Sequence, residues 1–111
     1  MVHYGRSATY GRDEVAQLMG LFRYSFPDLT FRIEDVVADG NRLSARMTAT
    51  CTHLGDFAGI PASGRKVQVS VMEQVRIIDD KIVEHWIVID ELHFLNQLGV
   101  VDDDRLNLIL A

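Results

Sequence analysis

Asp90 is the residue whose type and position could carry chemistry. It follows Trp86 and Val88 at even spacing, so on an extended strand all three side chains point to one face. A carboxylate walled by an indole and a valine loses solvation, which raises its pKa and makes it a usable base near neutral pH. A second role stays open, because an aspartate at a strand-to-helix junction often caps the helix that begins after it, here at Glu91.

Three other side chains could share such a site. His53 ends an alternating strand on its apolar side, where a group titrating near pH 7 could relay a proton or hydrogen-bond a substrate. It could equally be a half-buried turn histidine bonded to backbone. Gln74 and Arg76 depend on the hairpin register at Asp79-Asp80. A tight two-residue turn pairs Ile78 with Lys81 and sets Val71, Glu73 and Val75 beside Trp86. A three-residue loop with a bulge sets Met72, Gln74 and Arg76 there instead, and it is the favoured arrangement because Asp80 tolerates the left-handed backbone that a bulge needs. Gln74 could then hold a carbonyl or a developing enolate oxygen. Arg76 beside Asp90 would depress its pKa, so a structural or rim salt bridge suits it better. His85 has the opposite parity to Trp86 and is expected on the outer face.

Other chemistries find no support. There is no His-Glu-x-x-His, and no two histidines fall within a helical turn, so neither a metal site nor any other cofactor is expected. No glycine-rich phosphate loop leads from a strand into a helix. Cys51 is the single cysteine, which excludes an intrachain disulfide and leaves a structural thiol.

The elements that must position these residues follow from periodicity. Val15, Leu18, Met19, Phe22 and Phe26 recur at steps of three or four and predict an amphipathic helix over residues 11–26, with Asp13 and Glu14 in its first turn and Pro27 ending it. Strands are expected over residues 29–38 and 42–53, joined at Asp39-Gly40-Asn41, and over 67–78 and 81–89. Between the pairs lies a loop over residues 54–66, anchored by Phe57 and Ile60. Both faces of the last strand are apolar: Val83, Ile87 and Ile89 on one side, Ile82, Trp86 and Val88 on the other. The strip Val83, Ile87 and Ile89 is expected on the outside, buried in a homodimer or higher oligomer. A short helix over residues 91–98 ends at Gly99, and the apolar tail at 105–111 must dock somewhere. Met47, Met72, Trp86, Phe22, Phe26 and Phe57 are candidate walls of a pocket between helix and sheet.

Composition narrows the partners. The 111 residues suit one domain, taken as 1–111, and 11 basic against 16 acidic residues give a net charge of −5. That balance argues against nucleic acid or an anionic membrane surface as a partner. Neither a membrane-spanning apolar run nor a signal peptide is seen, so a soluble, cytoplasmic protein is expected.

Three blocks carry a family resemblance. They are Phe26-Pro27-Asp28-Leu29, the stretch from Thr48 through Thr52-His53-Leu54-Gly55 to Arg65, and Lys81-Ile82-Val83-Glu84-His85-Trp86 with the following Asp90 and Gln97-Leu98-Gly99. Together they resemble the SnoaL-like polyketide cyclases, also called ester cyclases. The resemblance implies an α+β fold, the cone-shaped barrel shared with ketosteroid isomerase and scytalone dehydratase, in which a bent, mostly antiparallel sheet wraps a pocket closed by helices. It implies that Asp90 matches the family's acid/base aspartate, which abstracts a proton next to a carbonyl so that the enolate closes a ring. It also implies that Gln74 matches a hydrogen-bonding partner and His53 the histidine of a Thr-His-x-Gly turn. Members of the family carry a further helix before the segment matching Val2-His3-Tyr4. The cone is therefore expected to be open here unless a partner subunit or the tail over residues 100–111 covers the gap.

The expected function is a cofactor-independent enzyme acting on a small, apolar, carbonyl-bearing molecule. Asp90 would be its acid/base, with His53 and Gln74 as orienting partners and Trp86, Met47, Met72, Arg76, Phe22 and Phe57 around the substrate. The rival expectation is a ligand-binding or oligomeric module that keeps the cavity without turnover.

Overall fold

The computed structural model describes residues 2–4, 9–102 and 104. Helix α1 (Arg12–Ser25) starts after Gly11 without a side-chain cap and carries Asp13 and Glu14 in its first turn, where their charge complements the helix dipole. It stops where expected. Pro27 disfavours helical dihedrals at Phe26, whose N–H closes the last turn on the Phe22 carbonyl at 2.7 Å.

The strands are β1 (Val2–Tyr4), β2 (Thr9–Tyr10), β3 (Thr30–Asp39), β4 (Arg42–Thr52), β5 (Lys66–Ile78) and β6 (Lys81–Ile89), followed by helix α2 (Glu91–Gln97). Among the described residues they form one sheet in the order β2-β1-β6-β5-β4-β3. The four long strands are antiparallel neighbours, and β1 joins β6 in parallel. The architecture is the expected α+β class. β1 and β2 are too short to show a period and were not foreseen.

Alternation on β5 decides which face is the inside. Val67, Val69, Val71 and Val75 are buried, while Gln68, Ser70 and Met72 between them are exposed. Each such valine contributes about 1.5–3 kcal/mol by leaving water. On β4 the matching face carries Ala45, Met47, Ala49 and Cys51, all buried. Phe26, Phe94 and Leu98 close the core over these strands from the helical side.

The β5–β6 hairpin combines both expected geometries. Its turn is tight: Ile78 pairs with Lys81, and Asp79 and Asp80 both adopt positive φ, 51° and 62°, as a two-residue type I′ turn requires. A bulge follows, since Ile77 faces Ile82 but Arg76 faces Glu84, which leaves Val83 as the extra residue. The three-residue loop is thus corrected to a two-residue turn, with the irregularity three residues into β6. The resulting register still sets Gln74 opposite Trp86 and Met72 opposite Val88.

The buried valine side of β5 nonetheless reverses the expected faces of β6. Ile89 lies opposite buried Val71 and Ile87 opposite Glu73, so both point inward with His85. Trp86 and Val88 point outward. The strip of Val83, Ile87 and Ile89 is therefore no outer surface, and the dimer expectation built on it loses its basis. The physical reason is that a strand apolar on both sides does not reveal its inner face, whereas its neighbour β5 does.

The loop after β4 is tied to the end of α1. Leu54 and Gly55 both donate to the Ser25 carbonyl, at 2.9 and 3.1 Å, and the Ser25 hydroxyl donates to the Asp56 carbonyl at 2.6 Å. A Cβ on Gly55 would stand 2.6 Å from the Tyr24 carbonyl oxygen, so the close crossing requires glycine. Asp28 accepts from both the Thr52 N–H and hydroxyl at 2.7 Å, and the hydroxyl bond is the main cause of its lowered pKa. The tail at 105–111 lies outside the described residues. No helix among them is long and apolar enough to cross a membrane.

Candidate functional site

Between α1 and the inward face of the sheet lies a cavity of about 180 Å3. The helix contributes Val15, Leu18, Met19 and Phe22, and the sheet contributes Ala49, Cys51, Val69, Val71, Ile87 and Ile89. Small residues at Ala49 and Cys51 leave the space that larger ones would fill. Burial pushes the Cys51 thiol up to about 11, with the Asp28 charge adding to the effect, so it stays protonated at neutral pH.

Among the described residues, one ionisable pair stands at this apolar space. His85 lines the cavity, and its Nε2 lies 2.7 Å from Glu73 Oε2. The two residues are diagonal neighbours across β5 and β6, because Glu73 pairs with Ile87 and Val75 with His85. Their side chains are 24% and 29% exposed, so the pair reaches both the cavity and solvent. His85 was expected on the outer face; the β6 register puts it inside.

Asp90 stands elsewhere. It is the N-cap of α2, accepting from the His93 N–H at 3.2 Å, and its side chain is 51% exposed. Trp86 and Val88 share its parity but point away from the cavity, so these two do not wall the carboxylate as expected. Replacing Asp90 by Ala should cost about 1 kcal/mol of stability in chemical denaturation, whereas Asn, which caps as well, should cost only a few tenths. Equal losses for both would contradict the capping role.

His53 is fully buried but does not line the cavity. Its Nδ1 accepts the Ser63 N–H at 3.3 Å and lies 2.9 Å from the Ser63 hydroxyl, while its own backbone bonds Arg65 and Gly64. Its ring packs on Phe26 at 5.5 Å between centroids. With Nδ1 accepting, the neutral ring carries its proton on Nε2, which has no hydrogen-bond partner among the described residues. His53 pins the loop to the core.

The remaining expected site residues divide between core and outer face. Phe22 lines the cavity. Met47 is buried in the core, and Phe57 packs in a ring cluster with Phe22, Phe26 and Phe94. Gln74 faces outward, donating to the Ser44 hydroxyl at 3.0 Å. Arg76 is there too, giving Glu84 Oε1 two hydrogen bonds at 2.9 and 2.6 Å. Arg42 lies over the Trp86 ring at 5.7 Å, and Met72 is exposed. Asp90, His53 and Gln74 are therefore not brought together. The missed pair, Glu73 and His85, had a usable signal: Glu73 is a lone carboxylate in the valine series of β5.

Comparison with known proteins adds the family context. The sequence profile of the SnoaL-like polyketide cyclases matches residues 1–98. Among solved structures, AclR from Streptomyces galilaeus, a candidate hydroxylase, is similar at 31% identity and a TM-score of 0.85, over 91% of this chain and 75% of that one. IdmH from Streptomyces antibioticus, a candidate polyketide cyclase, is similar at 30% identity and a TM-score of 0.76, over 89% and 78% of the two chains. A candidate SnoaL-like polyketide cyclase from a Jannaschia species, 20% identical, shares the cone-shaped α+β fold at a TM-score of 0.80, over 91% and 71%. No curated protein matches the chain.

Proposed function

Because the chain belongs to the SnoaL-like polyketide cyclase family, we propose that it binds a small, apolar, carbonyl-bearing molecule between α1 and the sheet and moves a proton on it without a cofactor. The observation that carries this reading is the apolar cavity itself. An engineered apolar cavity of about 150 Å3 takes up benzene, so about 180 Å3, open on one side, suits a small aromatic group of one or two rings with its carbonyl reaching toward the mouth. Cyclase and hydroxylase are the activities in the neighbours' names, and of the two, ring closure is the one that an enolate formed next to a carbonyl serves without an oxidant. Fold alone does not choose between them.

The family resemblance assigns the acid/base role to Asp90. Its capping bond and exposure favour a second reading, binding without turnover, unless another group at the cavity serves as the base. A fluorescent naphthyl ketone tests the binding reading. At about 0.5 kcal/mol per heavy atom it should bind saturably with a Kd of roughly tens of micromolar, and its emission should shift to the blue. Absence of saturable binding at millimolar concentration would overturn the proposal.

A further inference from the structure

We infer that residues 12–19, the first part of α1, form a cover that bends away at Gly20 to admit a ligand to the cavity and then closes over it. This rests on the cavity being the ligand site, as proposed above. The two ends of α1 are held very differently. At its C-terminal end Ser25 and Phe26 are 2% and 1% exposed, the Ser25 carbonyl accepts the Leu54 and Gly55 N–H groups, and the Phe22 ring packs on Phe57 at 5.3 Å. At its N-terminal end Val15 and Leu18 are only half-buried, Met19 is 40% exposed, and the helix begins at Gly11 without a side-chain cap. Beyond Gly11 the chain is tied to the sheet by β2, which meets β1 through two residue pairs. Helix α2 lies directly on β5, whereas α1 stands off from the strands across the cavity.

Gly20 marks the boundary between the two parts. It lies inside a helix of 14 residues, yet nothing around it calls for glycine: a Cβ there would meet no atom within 4 Å, and its backbone is not in the positive-φ region. Alanine would fit. Glycine is the weakest helix former after proline, so at this position it makes the helix easiest to bend between the free part and the anchored part. Of the four α1 side chains that line the cavity, Val15, Leu18 and Met19 precede Gly20 and Phe22 follows it. Bending there carries three of them off the cavity and leaves the ring cluster of Phe22, Phe26 and Phe57 in place.

The cover is too short to be stable by itself, since an isolated helix needs about 12–15 residues. It keeps its helical form through continuity across Gly20 and through the apolar contacts it makes when closed. A ligand in the cavity adds contacts to Val15, Leu18 and Met19 that exist only in the closed state, so binding shifts the molecule toward closure. The cover thereby sets how fast a ligand enters and leaves, and the sheet side of the cavity stays rigid.

The test follows binding of the naphthyl ketone by stopped-flow fluorescence in the wild type and in Gly20→Ala. The alanine strengthens the closed helix whether or not the ligand is bound. Association and dissociation should therefore both slow by about fivefold, the ratio that the glycine-to-alanine difference in helix propensity corresponds to, with Kd unchanged within about twofold. A merely structural glycine would leave both rates where they are. Amide exchange of the wild type gives a second readout: residues 16–19 should exchange at least about tenfold faster than residues 23–26, and saturating ketone should slow the first group alone. Unchanged rates in Gly20→Ala, a change confined to one of the two rates, or uniform exchange along α1 would each overturn the cover and leave the cavity as the ligand site. Failure of the wild type to bind the ketone would overturn both readings.

Discussion

Replacing Phe26 by Ala should destabilise the protein by about 3–5 kcal/mol in chemical denaturation, which for a domain of this size lowers the melting temperature by on the order of 20 °C. The side chain is 1% exposed and stands where four parts of the chain meet. Its ring lies 6.1 Å from Phe22, 5.3 Å from Phe57, 5.5 Å from His53 and 5.6 Å from Phe94 between centroids. Truncation removes the transfer energy of the ring and opens a void that rigid neighbours on β4, α1 and α2 cannot close. Because Phe26 also borders the cavity, the void would join it, and a small apolar ligand should recover part of the lost stability. A loss below 1 kcal/mol would show that the ring cluster does not hold these four parts of the chain together.

Filling the cavity should have the largest effect on binding. In Ala49→Phe the new ring occupies the space under α1, and affinity for the naphthyl ketone should fall at least 100-fold. The overpacking cost should stay at about 1–3 kcal/mol, because the ring enters existing space instead of displacing packed atoms. Val88→Phe is the matched control, adding bulk to an exposed position on the outer face. Isothermal titration of both variants separates a site under α1 from one on the outside. Unchanged affinity in Ala49→Phe would place the ligand elsewhere.

Much of the framework was legible in the residues. The helical spacing from Val15 to Phe26, the break at Pro27 and the hairpin turns at Gly40 and Asp79-Asp80 each express a local steric rule, so the elements could be placed to within a residue or two. The resemblance carried by the Thr-His-x-Gly turn and the Gln-Leu-Gly end led to the family. The inner face of β6 was not legible from that strand, where Trp86 and Val88 look as suited to a core as Ile87 and Ile89. The expected pairing of Gln74 and Met72 with the Trp86 side holds, and what it leaves open is which side of the paired strands faces inward. The alternation of β5 held the answer, because four valines against Gln68, Ser70, Gln74 and Arg76 mark one side unambiguously. Carried across the hairpin, it brings His85 to Glu73 and takes Trp86 and Gln74 to the outside. Asp90 shows the same limit: its type and position suited both a base and a cap, and only the direction of its side chain separates the two.

Methyl-labelled isoleucine spectra, recorded while the ketone is titrated in, address the central claim most directly, since the chain carries isoleucines both inside and outside the cavity. Ile87 and Ile89 should shift with a common saturation curve, together with the His85 ring, while Ile78 and Ile82 stay in place. Shifts at the Trp86 indole and the Met72 and Val88 methyls, with Ile87 and Ile89 unmoved, would mean that the ligand binds the opposite face of the sheet.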